Sequence, residues 1–362
     1  MAKKVKKSKI DLLFEVYKDP DRKPFLKILS ELFTLTIYHK SLPRYYFSRY
    51  LFKKGKTNIK DYFPDDFLYF KLKPFYNEYA ICDVVENKLY FNFFYSQFNI
   101  SLPKVLLYNH RKMFAKDNLC FEVNSASEFK LQLEQIFEQN PSYDSLIIKK
   151  TYDSFGGDRV YKIFRHQLAT EVKMVEAIYI EIIKTGFLVQ ETVIQHPEMN
   201  KLNPSSLNTF RIDTFIDKEG KVEIMSAYLR MSATDLHVDN ISSGGYMVSI
   251  DLQSGKLKKY GYSSFGSVGT LVLTEHPVTK TIFENFNIPY FNEAKEMLLK
   301  TAGLMPGLRL VGWDMAISES GPVLIEGNSD YIIAGNDFSE EGYLRNATFR
   351  KVLAEAGYLK AN

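Results

Sequence analysis

Three stretches of this chain carry residue types that could do chemistry together. The one nearest the C-terminus reads LRLVGWDMAISESGPVLIEGNSD. Strand alternation puts Val311, Trp313, Met315 and Ile317 on one face and turns Asp314 to the other, with Leu310, Gly312 and Ala316. The return strand sets Leu324, Glu326 and Asn328 on one side. A tight turn over residues 318–322, with Gly321 at positive φ, predicts Asp314 directly across from Glu326 and Asn328 one step along. Two facing carboxylates about 5 Å apart repel each other in a bare sheet. They make sense around a divalent cation: Asp, Glu and an amide oxygen are hard ligands that suit Mg²⁺, whose shell phosphate and water complete. The plainer alternative is an acidic pair on a solvated sheet face.

The second stretch, IIKKTYDSFGGDRVYKI, joins two strands through Gly156 and Gly157. Glycines let backbone N–H groups approach phosphate oxygens, and Lys149 or Lys150 at the end of the incoming strand would add a point charge. No Gly-Lys-Ser/Thr follows, so this is not a P-loop. An ordinary hairpin with exposed lysines is the alternative. In the third stretch Arg211 and Arg230 lie on neighbouring strands, with Asn240 and the pair Gly244-Gly245 after them. The arginines could clamp phosphate or carboxylate oxygens, or simply pair with Asp213 or Glu223 at the surface. Before them FLVQETVIQH forms a strand ending at Gln190-Glu191 and continuing as Thr192-Val193. Its backbone could meet an adenine edge and its carboxylate a ribose hydroxyl. His110, His196 and His237 show no metal-ligand spacing.

The elements that must position these residues change character along the chain. Apolar residues at helical spacing (Leu12, Leu13, Val16, Tyr17; then Phe25, Ile28, Leu29, Leu32, Phe33) make the first eighty residues mainly helical. Helices are expected over 86–98, 126–138, 166–185 and 292–302 and near the C-terminus. Strands are expected over 105–108, 146–150, 160–164, 187–191, 209–216, 221–231, 245–251, 308–317 and 322–327. The class is therefore α+β with mostly antiparallel sheets. At 362 residues, two or three lobes are expected. The division is 1–80 for a helical, basic and aromatic region, 81–190 for a lobe with the glycine loop, and 191–362 for a lobe with the carboxylates.

Composition narrows the function classes. Two cysteines, Cys82 and Cys120, exclude a disulfide framework or a four-cysteine zinc site. No apolar run is long enough to span a bilayer and the basic start lacks a signal-peptide core, so a cytoplasmic protein is expected. Residues 1–60 hold 16 Lys or Arg against 5 Asp or Glu, on a chain of net charge +4, so the remainder is net negative. That basic, aromatic opening could meet an anionic membrane, an anionic polymer or the protein's own acidic lobe, or be a set of solvated helices. No nucleic-acid module accompanies it.

The order of these pieces resembles the ATP-grasp superfamily. More narrowly it resembles the sugar-transfer-associated ATP-grasp family, related to α-L-glutamate ligases. The resemblance rests on ENKLYFNFF, IIKKTYDSFGGDRVYKI, VQETVIQHPEMNKLNPSSLNTFRIDTFI, YLRMSATDLHVDNISSGGYMVSID, EHPVTK and GWDMAISESGPVLIEGNSD, over roughly residues 85–335. It implies an ATP-grasp fold of two α+β lobes gripping ATP with two Mg²⁺ ions. Lys88 and Lys149 would face phosphate, although Asn87 stands where an Asp is usual and Lys150 where a Pro is usual. Gly156 and Gly157 would cover the triphosphate, and residues 190–193 (Gln190, Glu191, Thr192, Val193) would contact adenine. Asp314, Glu326 and Asn328 would hold metal, and Arg211, Arg230 and Asn240 would meet the phosphate or acyl intermediate. Many relatives carry an arginine two residues before the metal Asp. Here that position is Gly312, which passes the role to Arg230 or Arg211. The implied activity is an ADP-forming carboxylate–amine ligase acting through an acylphosphate. It would join an amino acid or small acid to an amino sugar or sugar acid in bacterial surface-polysaccharide biosynthesis. A phosphotransferase on the same fold and a non-catalytic nucleotide-binding module are the alternatives.

Overall fold

In a computed structural model, which describes residues 14, 16–152, 159–232, 245–263 and 272–359, the protein opens on helix α1 (Phe25–His39) and a run of short helical turns. Helix α2 (Lys88–Tyr95) follows and is capped by Asn87, whose Oδ1 accepts from the N–H groups of Leu89 (3.0 Å) and Tyr90 (3.3 Å). Asparagine caps a helix as well as aspartate does, so the departure at Asn87 costs the fold nothing at this turn.

The expected α+β class is found, as two sheets in which every pairing among the described strands is antiparallel. The smaller comprises β1 (Val105–His110), β2 (Met113–Lys116), β3 (Leu119–Glu122), β4 (Ser145–Lys150), β5 (Val160–Phe164) and β6 (Gly186–Glu191), in the order β3-β2-β1-β6-β4-β5. Helices α3 (Ala126–Gln139) and α4 (Val172–Ile182) cover it, packing Phe129, Leu133 and Ile178 against Leu146, Ile148 and Val189. The sequence reading lacks the β2–β3 hairpin, whose turn residues Asp117 and Asn118 both take positive φ. It also runs one helix over 166–185, where the chain breaks at Glu171 between a short turn (Gln167–Thr170) and α4.

The larger sheet comprises β7 (Thr209–Ile216), β8 (Val222–Met231), β9 (Tyr246–Ile250), β10 (Leu257–Ser263), β11 (Val272–Leu273), β12 (Leu310–Ser318) and β13 (Gly321–Asn328), in the order β11-β10-β9-β8-β7-β12-β13. On one face Ile212, Leu229, Trp313 and Met315 pack against α5 (Phe291–Gly303) and against Phe91 and Tyr95 of α2. Residues 82–100, which sequence groups with the first lobe, thus contribute to the core of the large sheet. The opposite face is covered by the N-terminal region with α6 (Ala334–Glu340) and α7 (Ala347–Glu355). Tyr46 and Tyr50 meet Tyr228 and Met247 there, while Leu72 and Tyr76 meet Phe215 and Leu310. Residues 16–80 therefore form a layer on this sheet.

The β12–β13 hairpin delivers the expected pairing by an unexpected route. Ser318 pairs with Gly321, at φ 120°, and the register runs through Met315–Leu324; a bulge then shifts it so that Asp314 faces Glu326 and Gly312 faces Asn328. The bulge overturns one expectation. Leu324 does not share a side with Glu326 but lies in the core with Met315 and Trp313, because the extra residue flips the alternation.

Gly335 in α6 lets that helix approach β8, since a Cβ there would stand 2.3 Å from the Tyr228 ring. Gly→Ala normally gains about 1 kcal/mol inside a helix. Here Gly335→Ala is expected to destabilise the protein by about 1–3 kcal/mol through overpacking. A lowered urea midpoint is the readout, and a raised or unchanged one would contradict this packing.

Candidate active site

Asp314 sits mid-strand between two partners, paired with Glu326 of β13 on one side and Arg211 of β7 on the other. Its carboxylate is buried. Arg211 Nε donates to its Oδ1, and Arg230 Nη2 lies 2.8 Å from its Oδ2. Thr209 Oγ1 steadies Arg230 by accepting from Nη2 (2.7 Å) and Nε (3.2 Å). Burial penalises the Asp314 charge, but the two guanidiniums outweigh it and hold the carboxyl well below the usual carboxylate range. The same pairing, working against burial, raises the Arg211 pKa further. The alternative of surface arginines fails for Arg211, which is buried on Asp314; Glu223 instead pairs with Lys351 at 2.8 Å.

The lysines arrive from the other side. The first residue of α2, Lys88, docks its N–H on the Thr151 carbonyl (2.8 Å) and sends Nζ to 3.2 Å from Glu326 Oε2. Lys149, near the end of β4, is buried and feels the charges of Glu326, Lys88 and Asp314. Of the two candidate lysines it is therefore Lys149 that faces the carboxylates, and strand alternation turns Lys150 away. Burial pushes the Lys149 ammonium down to about 8, with Lys88 adding to the drop and Glu326 and Asp314 opposing it. Four cations (Lys88, Lys149, Arg211, Arg230) thus gather around two carboxylates, a surplus of positive charge suited to a polyanion.

At the hinge, Gln190 is buried with Nε2 3.4 Å from the Pro103 carbonyl. Glu191 spends both oxygens on the protein, Oε1 accepting from the Lys104 N–H (2.9 Å) and Oε2 from the Tyr143 hydroxyl (2.6 Å). Thr192 donates to the Ser145 carbonyl at 2.9 Å, and His196 N–H donates to the Ile317 carbonyl at 2.8 Å. Val193, half-buried, lies in this connection between the small sheet and the large one. Gly156, Gly157, Asn240 and Gly244 lie outside the described residues.

Sequence reasoning took Asp213 only as a possible surface partner and missed its burial behind Arg211. Asp213, two residues on and hence on the same face, is fully buried and accepts from Ser226 Oγ (3.0 Å) and from Asn336 Nδ2 of α6. Burial raises its carboxyl to about 6 against the pull of Arg211, Asn336 and Ser226. The Arg211 guanidinium also lies 5.7 Å from the Tyr331 ring centroid. The alternation of TFRIDTFI was the signal available for Asp213. Gly312 accounts for the position of Arg211: a Cβ there would stand 3.1 Å from Arg211 Cδ and Nη1 and 2.9 Å from Asp213 Oδ1. Arg211 from β7 occupies the space over residue 312.

The donor set suits a divalent cation. Asp314 and Glu326 face each other across β12 and β13, an approach that a bare pair of carboxylates resists. Asn328 Nδ2 is directed at the Gly312 carbonyl (3.5 Å), leaving its oxygen as the end offered to a cation. These are the hard oxygens that Mg²⁺ takes. Among the described residues no group of three or more His, Cys, Asp or Glu could hold a metal ion, so a cation here would rest on the two carboxylates and the Asn328 amide oxygen.

The family described as sugar-transfer-associated ATP-grasp matches the chain over residues 69–349. Among solved structures, D-cycloserine synthetase DcsG is similar at 12% identity and a TM-score of 0.45, over 77% of this chain and 72% of its own. D-Alanyl-alanine synthetase A from Vibrio cholerae O1 biovar eltor is similar at 14% identity and 0.44, over 75% and 64% respectively. D-Alanine–D-alanine ligase from Bacillus anthracis is similar at 10% identity and 0.40, over 76% and 67%. No curated protein matches the chain in sequence. The structural likenesses are distant, and the family match carries the assignment.

The depressed Lys149 gives a pH signature. Above pH of about 8 the free protein holds Lys149 neutral, and a polyphosphate restores the charge, so binding takes up a proton. ATP affinity is therefore expected to be greatest below pH 8 and to fall as pH rises, by at most about tenfold per unit. Calorimetry in two buffers of different ionisation enthalpy should detect that uptake near pH 9. Lys149→Arg, always charged, should abolish it; identical uptake in the variant would exclude Lys149 as the source.

Proposed function

The chain belongs to the sugar-transfer-associated ATP-grasp family, and we propose that it is an ATP-dependent carboxylate–amine ligase that forms an amide through an acylphosphate between a small acid and a sugar-borne amine. The observation that carries the chemistry is the cluster itself: Asp314 and Glu326 side by side, ringed by Arg211, Arg230, Lys88 and Lys149.

Each part has a task that electrostatics defines. Lys88 and Lys149 pair with phosphate oxygens of ATP, lowering the repulsion between an incoming carboxylate and the γ-phosphoryl group. A carboxylate oxygen attacks the γ-phosphorus and ADP leaves, giving the acylphosphate. The amine nitrogen then attacks the acyl carbon, inorganic phosphate departs, and the nitrogen gives up a proton. Arg211 and Arg230 face the anionic oxygens that move in both steps; Asn240, with no position in the described residues, is assigned here by resemblance. Residues 190–193 meet the adenine through backbone groups; Gly156 and Gly157, outside the described residues, are assigned to the phosphates by resemblance. Asp314, Glu326 and Asn328 would hold Mg²⁺, two ions in all, which when bound supply charge neutralisation on the phosphates. Little covalent help is needed; positioning and preorganised positive charge supply the rate.

The sugar-linked acceptor, and a role in bacterial surface-polysaccharide synthesis, draw their support from the family's association with sugar transfer. A screen of acid and amine pairs for ADP release tests the whole reading. ADP and phosphate should appear only with both substrates present, whereas phosphate retained on a hydroxyl acceptor would mean a phosphotransferase. Asp314→Asn should cost about a hundredfold or more in kcat. Because Asp314 is a buried partner of two arginines, its loss also threatens folding, so Glu326→Gln at the less buried carboxylate serves as the second variant. Both variants retaining full turnover while folded would remove the metal assignment.

A further inference from the structure

Helix α1 has two apolar sides. Ile28 and Leu35 are buried against the layer that covers the large sheet. The other side, Phe25, Leu26, Leu29, Phe33 and Ile37, is exposed, with Leu26 at 82% and Phe33 at 67% of full accessibility. The spacing 25, 26, 29, 33, 37 keeps these five on one continuous stripe along the helix. Tyr17, also exposed, extends the stripe, its ring centroid 6.3 Å from that of Phe25. A contiguous apolar surface of this kind on a folded protein marks an interaction site.

The cations around the stripe decide what it meets. Arg22 lies 5.4 Å from the ring centroids of both Tyr17 and Phe25, Lys18 lies 5.5 Å from Phe14, and Lys60 lies 5.4 Å from Tyr38 near the helix's other end. Lys40 follows the helix in the left-handed conformation, at the stripe's C-terminal end. A second copy docking through this stripe would bring like charges together. The protein's own acidic lobe does not cover it, since the stripe is exposed.

We propose that this stripe seats the protein on a lipid bilayer rich in anionic headgroups, with α1 lying in the plane of the surface. Apolar and aromatic side chains enter the headgroup boundary while the basic residues meet lipid phosphates, the two contributions that bind interfacial helices. No helix among the described residues is long and apolar enough to cross a membrane, so the contact is peripheral. The inference stands on α1 alone and is independent of the reaction assigned to the carboxylate cluster.

The test is flotation of the full chain with vesicles of phosphatidylcholine containing about one third phosphatidylglycerol, beside vesicles of phosphatidylcholine alone. Binding is expected to the anionic vesicles, and to weaken at about 0.5 M salt. The double variant Leu26→Glu/Phe33→Glu should lose about tenfold or more in vesicle affinity. Its ATP binding and thermal midpoint should be unchanged, because both side chains are exposed and belong neither to the cluster nor to the packed core. Binding equally well to neutral vesicles, binding unaffected by the double variant, or no binding at all would overturn the proposal. So would a dimer in sedimentation velocity that the double variant dissolves.

Discussion

The structure is organised around one electrostatic constraint: a carboxylate buried in the middle of a sheet, beside a second carboxylate, must be neutralised. An isolated buried charge of this kind costs several kcal/mol, and a facing like charge adds to the cost. Arg211 and Arg230 meet that demand, one on each oxygen of Asp314, and Lys88 meets it for Glu326. The guanidiniums come from the neighbouring strand and the one beyond it, so pairing β12 with β7 and β7 with β8 builds the site as it builds the sheet. Lys88 and Lys149 come instead from α2 and from the small sheet. The site exists only where both bodies meet.

This arrangement makes the cluster receptive. Its cations outnumber its carboxylates, and Lys149 is held partly against its charge by burial. A polyphosphate entering here relieves the crowding of cations and restores a full charge to that lysine. On the proposed reading, phosphate oxygens would take over those arginines and free the carboxylates for a cation. Binding of nucleotide and cation would then reinforce each other through shared partners.

Much of this was legible in the residues. Alternation in GWDMAISESGPVLIEG put Asp314 opposite Glu326, and that pairing is present. The side of Leu324 was not legible, because a bulge leaves no mark in composition and reverses the alternation beyond it. The choice between Lys149 and Lys150 was open in sequence, since it depends on which face of β4 meets the large sheet. The placement of residues 82–100 was hidden for a related reason. Phe91 and Tyr95 fall in the helix expected over 86–98, and nothing local says which of two cores it fills. Asp213 was seen only as a possible surface partner, because its burial comes from α6, far along the chain.

The glycine at position 312 connects these points. An arginine two residues before Asp314 would project from the same face of β12, toward the same anion. Gly312 gives up that side chain, and the room it leaves is filled by Arg211 from β7, which reaches Asp314 across the strands. Arg211 is then backed by Asp213, which is tied through Asn336 to α6, and α6 in turn pairs Asp337 with Arg49 at 3.0 Å. Burial pushes the Asp337 carboxyl up to about 7 against the pull of Arg49, so this second ion pair is itself confined in an apolar setting. A line of buried polar groups therefore runs from Arg211 and Asp213 through Asn336 and Asp337 to Arg49 of the N-terminal layer, which forms the wall behind Arg211.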